Sequence, residues 1–462
     1  MNAPAPLQLA LEAALSPGCV TADPDRLWAH AHDWSDTPPC PPALLVRPRN
    51  PAEVAQVLAL CTQHQQAVVV QGGLTGLAGG ATPAPGEVAL SLDRLNRIEA
   101  VDAVGGTATV QAGVVLEALQ QAVAAHGWSF PLDLGARGSC QLGGNAATNA
   151  GGNRVVRHGT MRGLVLGLEV ALPDGRLLNL MNHATKNTTG TDVKQLFIGL
   201  EGTLGVITRL VLKLSPQPTA SHTALCALPS FEAATTLLRA LRQDLPGLSA
   251  FELMWGGFLD AALLVAPHLR PPFAERYPLC ALVETQGAAN ADGSSPLQTS
   301  LEHALEHGVV SDVVLAQSLQ EQTALWSYRE TVGEMLGRYK PHAAFDVGIP
   351  MAEMGRFVTE VEASLQLRFP TQTHLFFGHL GDDNLHVLSG PYADDATLLA
   401  VETLVYETVG RFGGAISGEH GIGAVKRHFL HLSRSPEVLA VMRDLKQLFD
   451  PAGVLNPGRV LA

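Results

Sequence analysis

Two histidines, His379 and His386, stand seven positions apart in the stretch GHLGDDNLH, on either side of a Gly-Asp-Asp-Asn turn. Across a tight hairpin such residues can face each other at ligand distance. Neutral imidazoles suit zinc, manganese or iron(II), and a carboxylate often completes the set. Glu419, in SGEHGIG, offers that carboxylate, and two histidines with one carboxylate leave positions open for a substrate. His420 follows it and can accept a proton near neutral pH. Arg329, in LWSYRETVG, carries a planar guanidinium that grips a carboxylate through two parallel hydrogen bonds. Each residue also has a plainer reading. The histidines pack a turn, Asp382 and Asp383 are turn formers or rival ligands, His420 is a polar loop residue, and Arg329 lies on a helix surface. Residue type and spacing leave both sets open.

The elements that must position these residues alternate strand and helix. NPAEVAQVLALCTQHQ is an amphipathic helix capped by Asn50, with Pro51 at its first position. The apolar run AVVVQ after it is a buried strand ending in a glycine-rich turn, an α/β pattern. LVLGLEVAL and GTLGVITRLVLKL are further strands, and the two prolines of SPQPT, residues 215–219, mark a domain boundary. Beyond it, strands are expected at 223–228, 250–254, 279–285, 311–315 and 343–349. Helices are expected at 231–243, 297–307, 319–338 and 351–369, followed by the hairpin that carries the two histidines. A helix near 395–411, a glycine-rich loop and a last helix ending near Phe449 complete the chain.

With 462 residues, two or three domains are expected. The net charge of −13 argues against a nucleic-acid partner, which needs a basic surface. Six scattered cysteines, none in a C-x-x-C pair, fit reduced thiols in the cytoplasm, and neither a signal peptide nor a membrane span is expected.

Two glycine-rich segments point to a cofactor. VVVQGGLTGLAGGATP places five glycines between Gly72 and Gly80, where backbone N–H groups can converge on an anion. Neither a P-loop nor a clean G-x-G-x-x-G is present. The second segment, DLGARGSCQLGGNAATNAGGNRVVRHG, allows close approach to a flat ring, with Asn145 and Asn149 as donors. Together the loops suit a long ligand with a pyrophosphate and a planar head.

The first loop resembles the pyrophosphate loop of the vanillyl-alcohol-oxidase-like (PCMH-type) FAD family, and PLDLGARGSCQLGGNAATNAGG resembles its isoalloxazine and ribityl segment. IGLEGTLGVIT, FGHLGDDNLH, SGEHGIGAVK and LFDPAGVLNPGR resemble, in order, the signatures of its FAD-dependent D-2-hydroxyacid dehydrogenase branch. That branch includes D-lactate and D-2-hydroxyglutarate dehydrogenases and the flavin subunit of glycolate oxidase. The resemblance implies an α+β fold: an FAD-binding domain over 1–217, an α+β cap with an antiparallel sheet over 218–415, and a C-terminal segment, 416–462, returning to the first. It implies FAD held non-covalently, since Leu74 stands where covalently linked relatives carry histidine. Gly72, Gly73, Leu74, Thr75, Gly76 and Leu77 are its pyrophosphate loop. Gly138, Ser139, Gly143, Gly144, Asn145, Asn149, Gly151, Gly152, Gly202, Ile207 and Asn456 are its other contacts. It implies a divalent metal on His379, His386 and Glu419, zinc first with manganese or iron(II) as alternatives. His420 becomes the general base, Arg329 and His420 bind the substrate, and hydride passes to flavin N5.

The implied substrate is a small D-2-hydroxy acid, lactate-like or 2-hydroxyglutarate-like. Relatives acting on D-2-hydroxyglutarate carry a lysine where Ala344 stands and an asparagine where Leu388 stands, which shifts the expectation toward a smaller or more apolar acid. The electron acceptor is expected to be a flavoprotein, a quinone or a cytochrome, and a homodimer is left open. Rival readings are an oxidase using O₂ and a non-catalytic flavin-binding subunit.

Overall fold

The structure is a computed structural model, and it describes residues 5–288 and 295–461. The chain divides into two compact units. The first comprises Met1–Gly152, Gly159–Gln217 and Glu419–Ala462, and the second Asn153–His158 and Pro218–Gly418. Among the described residues, no helix is long and apolar enough to cross a membrane.

The first unit contains two main sheets. In one, Leu44–Val46 and Val68–Gln71 both run parallel to Val88–Ser91, and Val20–Thr21 adds an antiparallel edge. The helix Pro51–Gln63 starts where its sequence dictates: Asn50 accepts the Glu53 N–H at 3.0 Å and proline fills the first turn. The other sheet is antiparallel, in the order 98–102, 107–111, 206–213, 165–171, 177–180. The residues over both sheets form one buried core that reaches from Leu7 to Leu455. The strand Ile98–Asp102, with exposed residues at Glu99, Ala100 and Asp102, and the helix Ala5–Ala14 escaped the reading of the sequence.

The second unit is built on a seven-stranded antiparallel sheet. Its order is 312–315, 220–228, 279–287, 248–255, 373–379, 384–390, 343–348. On one face lie the helices Gly256–Val265, Leu319–Glu330 and Val332–Arg338, with Phe258, Leu325, Tyr328, Met335 and Tyr339 packed against Met254, Leu375, Phe377 and Leu388. The periodicity of 319–338 suggested one helix, but the structure breaks it at Thr331 (φ −71°, ψ 2°), whose hydroxyl donates to the Tyr328 carbonyl at 2.8 Å. A threonine hydroxyl that binds backbone competes with helix propagation, and the break leaves Arg329 in the last turn of the first helix. The short segment 153–158 belongs to this unit, with Arg154 paired to the buried Glu284 at 3.0 Å.

Candidate active site

Strand register in the second unit gathers the chemistry on one sheet face. Glu252 pairs with His379 and Met254 with Phe377 across one strand boundary. Phe377 pairs with His386, and Leu375 with Leu388, across the next. His386 pairs with Asp346, and Leu388 with Ala344, across the third. Directly opposed residues of an antiparallel ladder share a face, so all of these side chains project to one side. The turn between the two histidine-bearing strands is a 3-10 turn, Leu380–Asp382, closed by Asp383 in the left-handed region at φ +65°. Asp383 thus serves as a turn residue, a role Asp and Asn fill more readily than others.

His379 Nε2 and His386 Nε2 stand 3.5 Å apart. Two nitrogens each about 2.0–2.1 Å from one tetrahedral zinc would be roughly 3.3 Å apart, so this spacing fits a shared cation. The His379 Nδ1–H donates to Glu252 Oε1 at 2.5 Å, which fixes the ring and turns the Nε2 lone pair toward His386. Glu252 is fully buried, and its other oxygen takes the Arg329 Nε–H at 2.8 Å. Burial pushes the Glu252 carboxyl up, but His379 and Arg329 outweigh it and hold it below the ordinary carboxylate range. The Arg329 guanidinium lies over the Phe377 ring, 4.8 Å from its centroid.

Glu419 and His420 directly follow Gly418, the last residue of the second unit. Asp346, fully buried, organises that end of the unit. Its carboxylate accepts from Asn384 Nδ2 at 2.8 Å and Ser417 Oγ at 3.1 Å, and its carbonyl accepts from the Gly418 N–H at 3.2 Å. Downstream, within the first unit, Glu201 accepts the Ile422 and Gly423 N–H groups at 2.7 and 2.9 Å, and Ala78 O accepts from Ala424 at 3.0 Å. The residues just after His420 are therefore staked to the glycine loop that follows Gln71. Burial pushes the Glu201 carboxyl up.

The glycine segments of the first unit close on one another. A Cβ on Gly73 would stand 2.2 Å from Ser139 O, one on Gly143 2.6 Å from Ala112 Cβ, and one on Gly152 1.9 Å from Asp133 O. Only glycine permits these approaches. A Cβ on Gly144 would meet nothing within 4 Å, so space opens there. A Cβ on Gly202 would stand 3.1 Å from Asn456 Nδ2. Asn456 is spent on backbone: it accepts the Val70 N–H at 2.8 Å and donates to Glu201 O at 2.7 Å. Asn149 Oδ1 accepts the Arg162 N–H at 2.9 Å. Ile207 is buried in its strand, Gly138 lies near Glu117, and Leu77 is exposed. Leu74, Asn149, Glu201 and Asn456 all take left-handed backbone angles, φ +45° to +57°. Non-glycine residues rarely adopt such angles, and this strain collects at binding sites.

Two family models match the chain: "FAD binding domain" over residues 42–181 and "FAD linked oxidases, C-terminal domain" over 217–460. The chain is 42% identical to the mitochondrial D-2-hydroxyglutarate dehydrogenase of Bos taurus, over 96% of this chain and 81% of that one. It is 40% identical to the D-2-hydroxyglutarate dehydrogenase of Xanthomonas citri pv. viticola, over 98% and 97%. It belongs to the FAD-dependent D-2-hydroxyacid dehydrogenase family. A Schizosaccharomyces pombe protein provisionally named a mitochondrial D-lactate dehydrogenase is 38% identical, over 95% and 85%. The fold is shared with p-cresol methylhydroxylase (TM-score 0.76, 15% identity, 98% and 96% covered) and alkyldihydroxyacetonephosphate synthase (0.77, 18%, 99% and 87%).

The enzyme binds FAD, and the first unit suits it chemically. Gln141 Oε1 and Asn145 Oδ1 are buried acceptors with no hydrogen-bond partner, a state that costs about 1–3 kcal/mol each unless a ligand supplies donors. The flavin, ribityl and adenosine parts of FAD carry such N–H and O–H groups. Sequence reasoning passed over Glu252 and Glu201. The first left one signal, a carboxylate inside the largely apolar strand 248–255. The second left none, for nothing local marks which backbone a glutamate will bind.

Proposed function

We propose that this dehydrogenase converts a D-2-hydroxy acid to its 2-oxo acid with Arg329 as carboxylate clamp and His420 as general base. In this reading His379, His386 and Glu419 hold a divalent metal, zinc first. The observation that carries it is the sheet face on which Glu252 joins Arg329 Nε to His379 Nδ1. Two electrons and two protons must leave the substrate. FAD, held non-covalently, supplies the electron acceptor, and a divalent cation supplies positive charge that favours ionisation of a hydroxyl. The chain's residues do the rest. The Arg329 fork fixes the carboxylate and so the orientation of the carbinol carbon. His420 Nε2 or Nδ1 takes the hydroxyl proton.

The names of the relatives support D-2-hydroxyglutarate as substrate. A specific observation favours a second reading, a short or apolar D-2-hydroxy acid such as D-lactate. Leu388 and Ala344 oppose each other on the site's sheet face, and neither can donate to a second carboxylate. Anaerobic mixing of the enzyme with D- and L-2-hydroxyglutarate, D- and L-lactate and a longer apolar homologue, followed by flavin bleaching, decides between them. Bleaching by neither D-acid, or by L-acids alone, refutes the proposal. Activity lost to a chelator and restored by Zn²⁺ or Mn²⁺ supports the metal, and indifference to chelation refutes it.

A further inference from the structure

We propose that Glu252 is a positioning residue that locks the substrate-carboxylate arginine and the first metal histidine into one rigid unit. The inference rests on the roles given above to Arg329 and His379, and it adds a residue that makes those two roles interdependent. Glu252 lies in the strand Leu248–Trp255, directly opposite His379, with a side chain entirely removed from solvent. Its two oxygens are divided between two partners: Oε1 takes His379 Nδ1–H at 2.5 Å and Oε2 takes Arg329 Nε–H at 2.8 Å. A single planar carboxylate therefore sets the tilt of an imidazole and the tilt of a guanidinium together.

The consequence at each end is specific. With Nδ1 committed, His379 has only Nε2 to offer a metal, and it points to within 3.5 Å of His386 Nε2. With Nε committed, Arg329 has only its two Nη groups to offer a substrate, while Phe377 backs the guanidinium plane at 4.8 Å. A glutamine cannot serve both partners. Its one oxygen can accept from the histidine or from the arginine, and its NH₂ then faces the other donor. A buried ion pair that merely held the fold would be lost with a fall in stability alone.

The test uses the flavin-loaded full chain, stripped of metal with a chelator and titrated with Zn²⁺ alone against a chelating dye, for wild type and Glu252→Gln. The expected result is a zinc Kd raised about 10- to 100-fold, with KM for the best D-2-hydroxy acid also raised in the zinc-saturated enzyme. Flavin content should match wild type. Glu252→Asp keeps the charge but is one methylene too short to reach both partners, so it should show the same two defects. It also serves if the glutamine variant fails to fold. A folded variant whose zinc Kd and KM both stay within about twofold of wild type overturns the proposal. Failure of the wild type itself to take up zinc is a different outcome: it overturns the metal reading on which the proposal rests.

Discussion

Replacing Arg329 tests the substrate grip most directly, and the structure sets the size of the effect. The guanidinium spends Nε on Glu252 at 2.8 Å, so in the proposed clamp the two Nη groups would form the carboxylate fork. Arg329→Lys keeps the charge but offers one compact ammonium, which can serve Glu252 or the substrate, not both in this geometry. One charge-assisted hydrogen bond to the substrate is then lost, worth about 1.5–3 kcal/mol. At 1.36 kcal/mol per decade this becomes a fall of roughly 10- to 150-fold in kcat/KM. Because the carboxylate is gripped alike before and during oxidation, the loss should fall on KM, with kcat nearly unchanged. Arg329→Met removes both substrate bonds and leaves the buried Glu252 with His379 as partner. Breaking a buried pair from one side costs about 3–5 kcal/mol, so this variant should also melt several degrees lower. The assay is anaerobic stopped-flow flavin reduction across substrate concentrations, with a thermal melt in parallel. A lysine variant within threefold of wild type in kcat/KM refutes the clamp. A loss confined to kcat, at unchanged KM, would move Arg329 from binding to the chemical step.

His420→Asn should slow flavin reduction by about 10²- to 10⁴-fold while FAD content stays normal, and an unchanged rate removes His420 as base. Leu388→Asn should raise the kcat/KM ratio of D-2-hydroxyglutarate over D-lactate by roughly tenfold, the worth of one hydrogen bond to a charged group. An unmoved ratio places the substrate side chain away from Leu388, and a lowered melting temperature is expected in any case because Leu388 is 2% exposed. Burial, with Arg157 and Arg154 nearby, holds the His158 imidazole down to about 4. The folded state thus resists a proton that the unfolded state takes below its ordinary value near 6.5. Stability should fall as pH drops through that window, by roughly 1–2 kcal/mol once partial solvent screening is allowed for. Denaturant melts of His158→Gln should show a shallower fall, and an identical pH profile refutes the assignment.

What was legible in the sequence followed a clear physical divide. Local signals read well. Asn50-Pro51 started its helix, and the alternation of THLFFGH and NLHVLS gave a hairpin with both histidines on it. Strong periodic elements of the second unit lay close to their expected spans. Signals that depend on partners far along the chain did not read. Thr331 is a local exception: its hydroxyl binds the Tyr328 carbonyl three residues back, where the apolar pattern runs on past it. Glu252 could be seen only as an anomaly, since its partners lie 77 and 127 positions away. The ties of the Asn456 amide to Val70 and Glu201, 386 and 255 positions distant, could not be seen either.

The glycines of GHLGDDNLH and SGEHG bring the hairpin and the end of the second unit, at Gly418, into close packing. A Cβ on Gly378 would stand 2.4 Å from Asn384 O, so only glycine lets the strand before His379 lie so close to its return strand. A Cβ on Gly418 would stand 1.8 Å from Asn384 Nδ2 and 2.8 Å from Asp346 Oδ1. Asn384 thus touches both motifs: its backbone packs on Gly378, and its amide occupies the space a side chain at 418 would need while donating to Asp346. Asp346 in turn binds Ser417 and the Gly418 N–H, fixing where the chain emerges to become Glu419 and His420. Because side chains alternate along a strand, a slip of one residue in the 384–390 strand would turn His386 and Leu388 to the far face and carry Asn384 away from Asp346. The same register therefore sets the imidazole pair, the apolar wall at Leu388 and the exit point of Gly418. A substitution that disturbs it disturbs all three together, whereas Glu252 and Arg329 change the site without moving the strands.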